Sequence, residues 1–166
     1  AADARVMLAV WDGGVVLHSW DDGASWELSM IPGAADLRGV AMDPEALRVL
    51  AVDASGSVWS SSDAGAHFTR EASAKVSLNA VAMADGGELA IAVGDGCVII
   101  ERTADALWHA APSGTALDLR AAVIMDDGRR YVAGDSGTLL ASSDGGATWD
   151  PVAVATRATF YGVDDL

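Results

Sequence analysis

The chain has 166 residues, about half of them apolar, and a formal charge of −14 from 24 acidic against 10 basic side chains. That length suits one domain with its own core, and that charge works against nucleic-acid backbones and anionic membrane surfaces, leaving a protein partner or a small ligand. No apolar run approaches the length of a membrane span, no N-terminal stretch has the make-up of a secretory leader, and Cys97 is the single cysteine, so no internal disulfide forms.

In chain order, residues 4–10 read as a strand, turned at Asp12-Gly13-Gly14. The next strand runs into a frame of Ser19, Asp21, Gly23 and Trp26. The second unit is the fullest. It has a strand at 37–42, a turn at Asp43-Pro44-Glu45, a strand at 47–52, a turn at Asp53-Ala54-Ser55-Gly56, and Val58-Trp59-Ser60 leading into Ser61, Asp63, Gly65 and Phe68. The third unit repeats the strands at 78–83, 89–93 and 96–99. Its frame is worn: Glu101, Thr103, Asp105 and Trp108 keep only the aromatic. Cys97 falls in the run Cys97-Val98-Ile99-Ile100 and is expected to be a small buried hydrophobe on a strand. The fourth unit has strands at 119–124, 130–133 and 137–140, then Ser142, Asp144, Gly146 and Trp149. Residues 159–164 match a first strand with nothing after it.

The frame aromatics stand at 26, 68, 108 and 149, spaced by 42, 40 and 41 residues, which is the signature of an array. Within the frame, Asp can hold its own downstream amides, Gly accepts positive φ, Ser fastens the turn from the preceding strand, and the aromatic anchors the following one. Four short strands per period and no helical periodicity give an all-β fold of four four-stranded blades. The expected units are about 159–166 plus 1–30, 36–72, 77–112 and 118–153, all in one domain spanning 1–166. Joining Leu166 to Ala1 aligns both ends with the second unit without a gap, so the C-terminal strand is expected to close the first blade. It does so within the chain, or in trans in an eight-bladed homodimer.

The repeated corner, with wording such as Tyr131-Val132-Ala133-Gly134-Asp135-Ser136-Gly137 before the last copy, resembles the Asp-box, or BNR-repeat, β-propellers. It is most similar to the photosystem II assembly and stability factor family and its bacterial relatives. The resemblance implies a propeller, a non-catalytic scaffold that holds another polypeptide, and a secreted or periplasmic setting. Sialidases share the corner, so a glycan-acting enzyme is the alternative. Against it, Tyr161 has no Glu near it in the repeat frame, the Arg cluster is incomplete, and Met30-Ile31-Pro32 lacks the Arg of that family's early signature.

Arg38, Asn79, Arg120 and Tyr161 share one position on the four innermost strands, so a central pocket is expected there, able to hold a carboxylate or an acidic peptide segment. Pairing of Arg38 with Asp36 and of Arg120 with Asp118 is the competing expectation. Gly14, Gly56, Gly96 and Gly137 are aligned at the turn between second and third strands, with Asp12, Asp53, Asp95 and Asp135 before them. His18, His67 and His109 fall at three different repeat positions, so no metal site and no cofactor is expected. Most Trp residues flank the corners and are expected to pack blades, whereas Trp11 stands at a turn and marks a candidate contact surface.

Overall fold

The computed structural model describes residues 6–43 and 48–164. The regular elements among them are strands, apart from three short 3-10 turns at Asp12–Gly14, Asp95–Cys97 and Asp135–Gly137. The strands form four antiparallel meanders, one after another along the chain. The first holds β1 (Met7–Val10), β2 (Val15–Ser19) and β3 (Glu27–Met30). The second holds β4 (Leu37–Asp43), β5 (Arg48–Asp53), β6 (Ser57–Ser61) and β7 (Thr69–Ser73). The third holds β8 (Leu78–Met83), β9 (Ala90–Gly94), β10 (Ile99–Arg102) and β11 (Trp108–Ala111). The fourth holds β12 (Leu119–Ile124), β13 (Arg130–Gly134), β14 (Leu139–Ser142) and β15 (Asp150–Pro151).

The second strand of each middle sheet is a continuous apolar run because it is covered on both faces. Val49, Leu50, Ala51 and Val52 of β5 and Ala90, Ile91, Ala92 and Val93 of β9 are all buried. Three clusters of buried side chains lie between successive sheets. Val16, Ala51 and Trp59 join the first to the second, Leu50, Val58 and Ile100 the second to the third, and Ile91, Val132 and Trp149 the third to the fourth. Each fully buried Leu, Ile or Val is worth about 1.5–3 kcal/mol. In the second, third and fourth sheets the corner aromatic packs backwards: Phe68 on the first sheet, Trp108 on the second, Trp149 on the third. Among the described residues no such cluster joins the fourth sheet to the first.

Three expectations change. The first sheet has three strands among the described residues, and 159–164 form no ladder with β1. The segment is held on the fourth sheet instead, where the Phe160 N–H donates to the Gly134 carbonyl at 3.0 Å. The join of Leu166 to Ala1, and Pro44 and Glu45 of the expected turn, lie outside the described residues. Cys97 is not on a strand: it ends the turn Asp95–Cys97 in the left-handed region, with φ +64, and is partly exposed. That conformation is the one Gly137 takes in the fourth sheet, so the alignment of Gly96 with Gly137 is off by one residue. Finally, Trp20 and Trp26 do not pack between blades. Both stay half-exposed, Trp20 stacked on His18.

Candidate functional site on the turn face

One end of the sheets carries the Ser-x-Asp corners. Ser142 Oγ donates to Asp144 Oδ1 at 2.9 Å and accepts from the Gly146 amide at 2.8 Å, while Asp144 takes the Thr148 amide at 3.0 Å and its hydroxyl at 2.6 Å. Ser19, Asp21, Gly23 and Ser25 repeat this, as do Ser61, Asp63, Gly65 and His67. The Trp26 indole donates to the Gly23 carbonyl at 3.1 Å. The third corner keeps more than its aromatic. Thr103 Oγ1 donates to Asp105 Oδ1 at 2.6 Å and Asp105 takes the Leu107 amide at 3.0 Å, so the fastening survives in a shorter loop. Each of these carboxylates is spent on its own turn.

Near this end the innermost strands surround an axial cavity of about 550 Å³. Ala41 and Met42 of β4, Val81 to Met83 of β8, Ala122 to Ile124 of β12, and Val163 line it. The segment 159–164 thus stands where a further innermost strand would stand.

The four repeat-matched candidates are at the other end of those strands and are absent from the cavity lining. Three of them start the innermost strands, whose later residues line the cavity, and a shift in pairing sets where they point. Leu37 and Gly39 pair with adjacent residues of β5, and the same skip recurs between Leu78 and Ala80 and between Leu119 and Ala121. Arg38, Asn79 and Arg120 are the residues skipped, and a bulge re-aims its side chain. Arg120 turns to its own sheet: Nε donates to Asp135 Oδ1 at 2.8 Å, Nη2 to Asp135 Oδ2 at 3.0 Å, and Nη2 to Asp118 Oδ2 at 3.3 Å. Donating to the Asp135 carboxylate raises the guanidinium's affinity for its proton, and accepting from Arg120 holds the Asp135 carboxyl below its ordinary value. Asn79 donates to Asp95 Oδ1 and to the Leu119 carbonyl, both at 2.9 Å. Tyr161 is 78% exposed. The expected pairing of Arg120 with Asp118 therefore exists, subordinate to Asp135.

Arg38 differs. It is exposed and makes no hydrogen bond or ion pair among the described residues. Asp36 is not its partner, because Asp36 Oδ1 accepts the Gly13 amide at 3.0 Å. The position that holds Asp95 and Asp135 in the other turns holds Ala54 here. Asp53 sits one residue earlier, fully buried, and takes the amides of Ser55 and Ser57 at 2.9 Å, the Ser55 hydroxyl at 2.6 Å and the Trp59 indole at 2.8 Å. Sequence alignment had grouped it with Asp12, Asp95 and Asp135; the only signal of its different duty is the Ser-x-Ser-x-Trp that follows. Beside Arg38, Trp11 is 69% exposed, and its carbonyl accepts the Leu37 amide at 3.2 Å. An uncovered indole and a guanidinium with no partner among the described residues thus belong to backbone segments joined by one hydrogen bond.

Successive antiparallel meanders, three of them four-stranded with their first strands around an axial cavity, define a β-propeller. Solved propellers superpose on it. A chain of a nidogen/laminin complex matches with a TM-score of 0.73 at 18% identity, covering 95% of this chain and 64% of that one. YCF48 bound to D1 peptide matches with a TM-score of 0.67 at 15% identity, covering 93% and 56%. YCF48 from Cyanidioschyzon merolae matches with a TM-score of 0.70 at 14% identity, covering 92% and 57%. The chain therefore spans less than two thirds of the length of these structures. No protein-family model and no curated protein matches it.

Proposed function

We propose that the chain is a non-catalytic scaffold that binds a polypeptide partner on the face opposite its Ser-x-Asp corners, with Trp11 as the apolar anchor and Arg38 as the cation for an acidic group of the partner. The observation that carries this reading is the difference between matched positions: Arg120 and Asn79 are tied down by Asp135 and Asp95, whereas Arg38 is exposed. Exposed Trp and Arg are the side chains that most often dominate binding energy at interfaces. The acidic ligand expected at a central Arg pocket is thereby transferred to Arg38, with Arg120 and Asn79 bracing the face. The solved YCF48 with a D1 peptide supports a propeller's use in this way.

The test starts from a random peptide library displayed on phage, selected on the purified chain. Selected peptides should contain Asp or Glu and should bind at least tenfold more weakly to the Trp11→Ala, Arg38→Ala double variant in a fluorescence titration. Equal binding to both proteins would remove this face as the site.

A further inference from the structure

Among the described residues the blades form an open arc, with no core cluster between the fourth sheet and the first, and the two faces at its ends are complementary by repetition. Every internal boundary is made from the same two kinds of face, one looking forward along the chain and one looking back. On the backward face of the fourth sheet, Arg130, Val132, Leu140 and Trp149 are buried. The ladders place Arg130 opposite Ser142 and Met7 opposite Ser19, so their counterparts on the first sheet are Met7, Ala9, Leu17 and Trp26. None of these is buried: Met7 is 44% and Trp26 43% exposed, against 7% for Trp149. On the forward face of the fourth sheet, Tyr131, Leu139 and Ala141 are partly uncovered, where Ile91, Ile99 and Glu101 of the third are buried.

The backbone shows the same pair of open ends. Among the described residues β1 is bonded to β2 alone, and its other edge has no ladder there. The segment 159–164 is docked but unladdered. Phe160 donates to Gly134 as Leu37 donates to Trp11, so it enters its position as β4 does, and Val163 lines the axial cavity with the other innermost strands.

We propose that a second copy of this chain occupies both faces: 159–164 of each protomer adds as the innermost strand to β1 of the other, closing a two-fold ring. Continuity with the internal boundaries selects this occupant, since a forward face of this chain already fits a backward face of this chain three times over. Side-chain chemistry agrees. Where Glu101 meets Arg130 between the third and fourth sheets, the closing boundary brings Ala141 to Met7, a small apolar group beside a large flexible one, with no charge to bury. The ladders also fix the register. Val40 faces Ala51, Val81 faces Ala92 and Ala122 faces Val132, so Val163 will face the partner's Ala9.

Two measurements test this closure, and neither depends on the peptide-binding reading. Sedimentation equilibrium of the chain should give twice the monomer mass; a monomer, or polymers that lengthen with concentration, would overturn the ring. In a Cys97→Ser background, the Ala9→Cys, Val163→Cys variant should form a disulfide that yields a covalent dimer on non-reducing gels, and Leu17→Glu should return the chain to a monomer. An internal disulfide within single chains would assign the closure to one molecule and defeat the proposal, as would the absence of any link.

Discussion

Glu101 and Arg130 form an ion pair across the boundary between the third and fourth sheets, both side chains almost wholly out of solvent. The pair is under-satisfied, since Glu101 Oε1 and Arg130 Nε have no hydrogen-bond partner among the described residues. Burial pushes the Glu101 carboxyl above its ordinary value, against the pull of Arg130. Removing one partner strands the other, so Arg130→Met alone should cost about 3–5 kcal/mol, whereas Glu101→Leu with Arg130→Met should come close to wild type or exceed it. Chemical denaturation of the three proteins checks the ordering. A double variant as unstable as the single one would show that the pair itself is stabilising.

The same carboxylate makes Gly146 irreplaceable. A Cβ built on Gly146 would lie 1.8 Å from Glu101 Oε1, and its φ is +92. Gly145, with φ +75, has nothing nearer to such a Cβ than Arg130 Nη2 at 4.0 Å. Gly145→Ala should cost roughly 1 kcal/mol for its backbone strain, and Gly146→Ala several times that, unless Glu101 is shortened. Measured against Glu101→Ala as the reference, Gly146→Ala should therefore cost less than it does in the wild type, while Gly145→Ala should cost the same in both, read from thermal melts.

Acid should loosen the corners in a defined window. Asp105 is drawn down to about 2, first by the Thr103 hydroxyl, and Asp144 to about 2, first by the Thr148 hydroxyl. A carboxyl held lower in the folded state than in the unfolded one binds fewer protons when folded. Its stabilisation is complete above the ordinary carboxylate range and disappears as pH falls toward 2. For Asp53, burial pushes the carboxyl up but the hydrogen bonds from Ser55, Trp59 and Ser57 outweigh it, so its net shift is downward and it adds to the same loss. Glu101, shifted upward by burial, acts in the opposite sense, its contribution present below the ordinary carboxylate range and lost as pH rises from that range through its raised value. The melting temperature should fall from about pH 5 to about pH 2, and less steeply for Asp105→Asn, Asp144→Asn. Parallel curves for the two proteins would exclude the corner carboxylates as the cause.

Ala54→Asp should silence the proposed binding face without touching its two anchors. The substitution restores at the second sheet the carboxylate that Asp135 presents to Arg120, so it should engage Arg38 bidentately. Peptides selected on the wild type should lose at least tenfold in affinity while the melting temperature holds or rises. Undiminished binding would mean that the guanidinium is not part of the contact.

What was legible in the sequence is what each blade does for itself. The period, the four-strand meander and the Ser-x-Asp corners are local chemistry, and they fold as read. Asp105 escaped because its loop is shorter, so it fastens to Thr103 rather than to a residue matched by counting. Asp53 and Cys97 escaped through one-residue shifts, which spacing cannot resolve when turns of similar composition differ in length. The consequence was large for one and small for the other: misplacing Asp53 concealed why Arg38 and Arg120, identical in type and repeat position, have opposite surroundings. The seam was illegible for a different reason. Repeats dictate how a blade meets its neighbour and say nothing about which molecule supplies that neighbour.

The bulge at the start of β4, β8 and β12 has a further consequence. Its residue is excused from the ladder, while the residues on either side carry the fold: Leu37, Leu78 and Leu119 fill the core before it, and Gly39, Ala80 and Ala121 resume pairing after it. Those flanks vary little from blade to blade, whereas the excused position holds Arg, Asn and Arg in turn. The ladder and the core thus leave one side chain per repeat unconstrained, and only its local polar partners, Asp135 for Arg120 and Asp95 for Asn79, decide whether it is held or free to change.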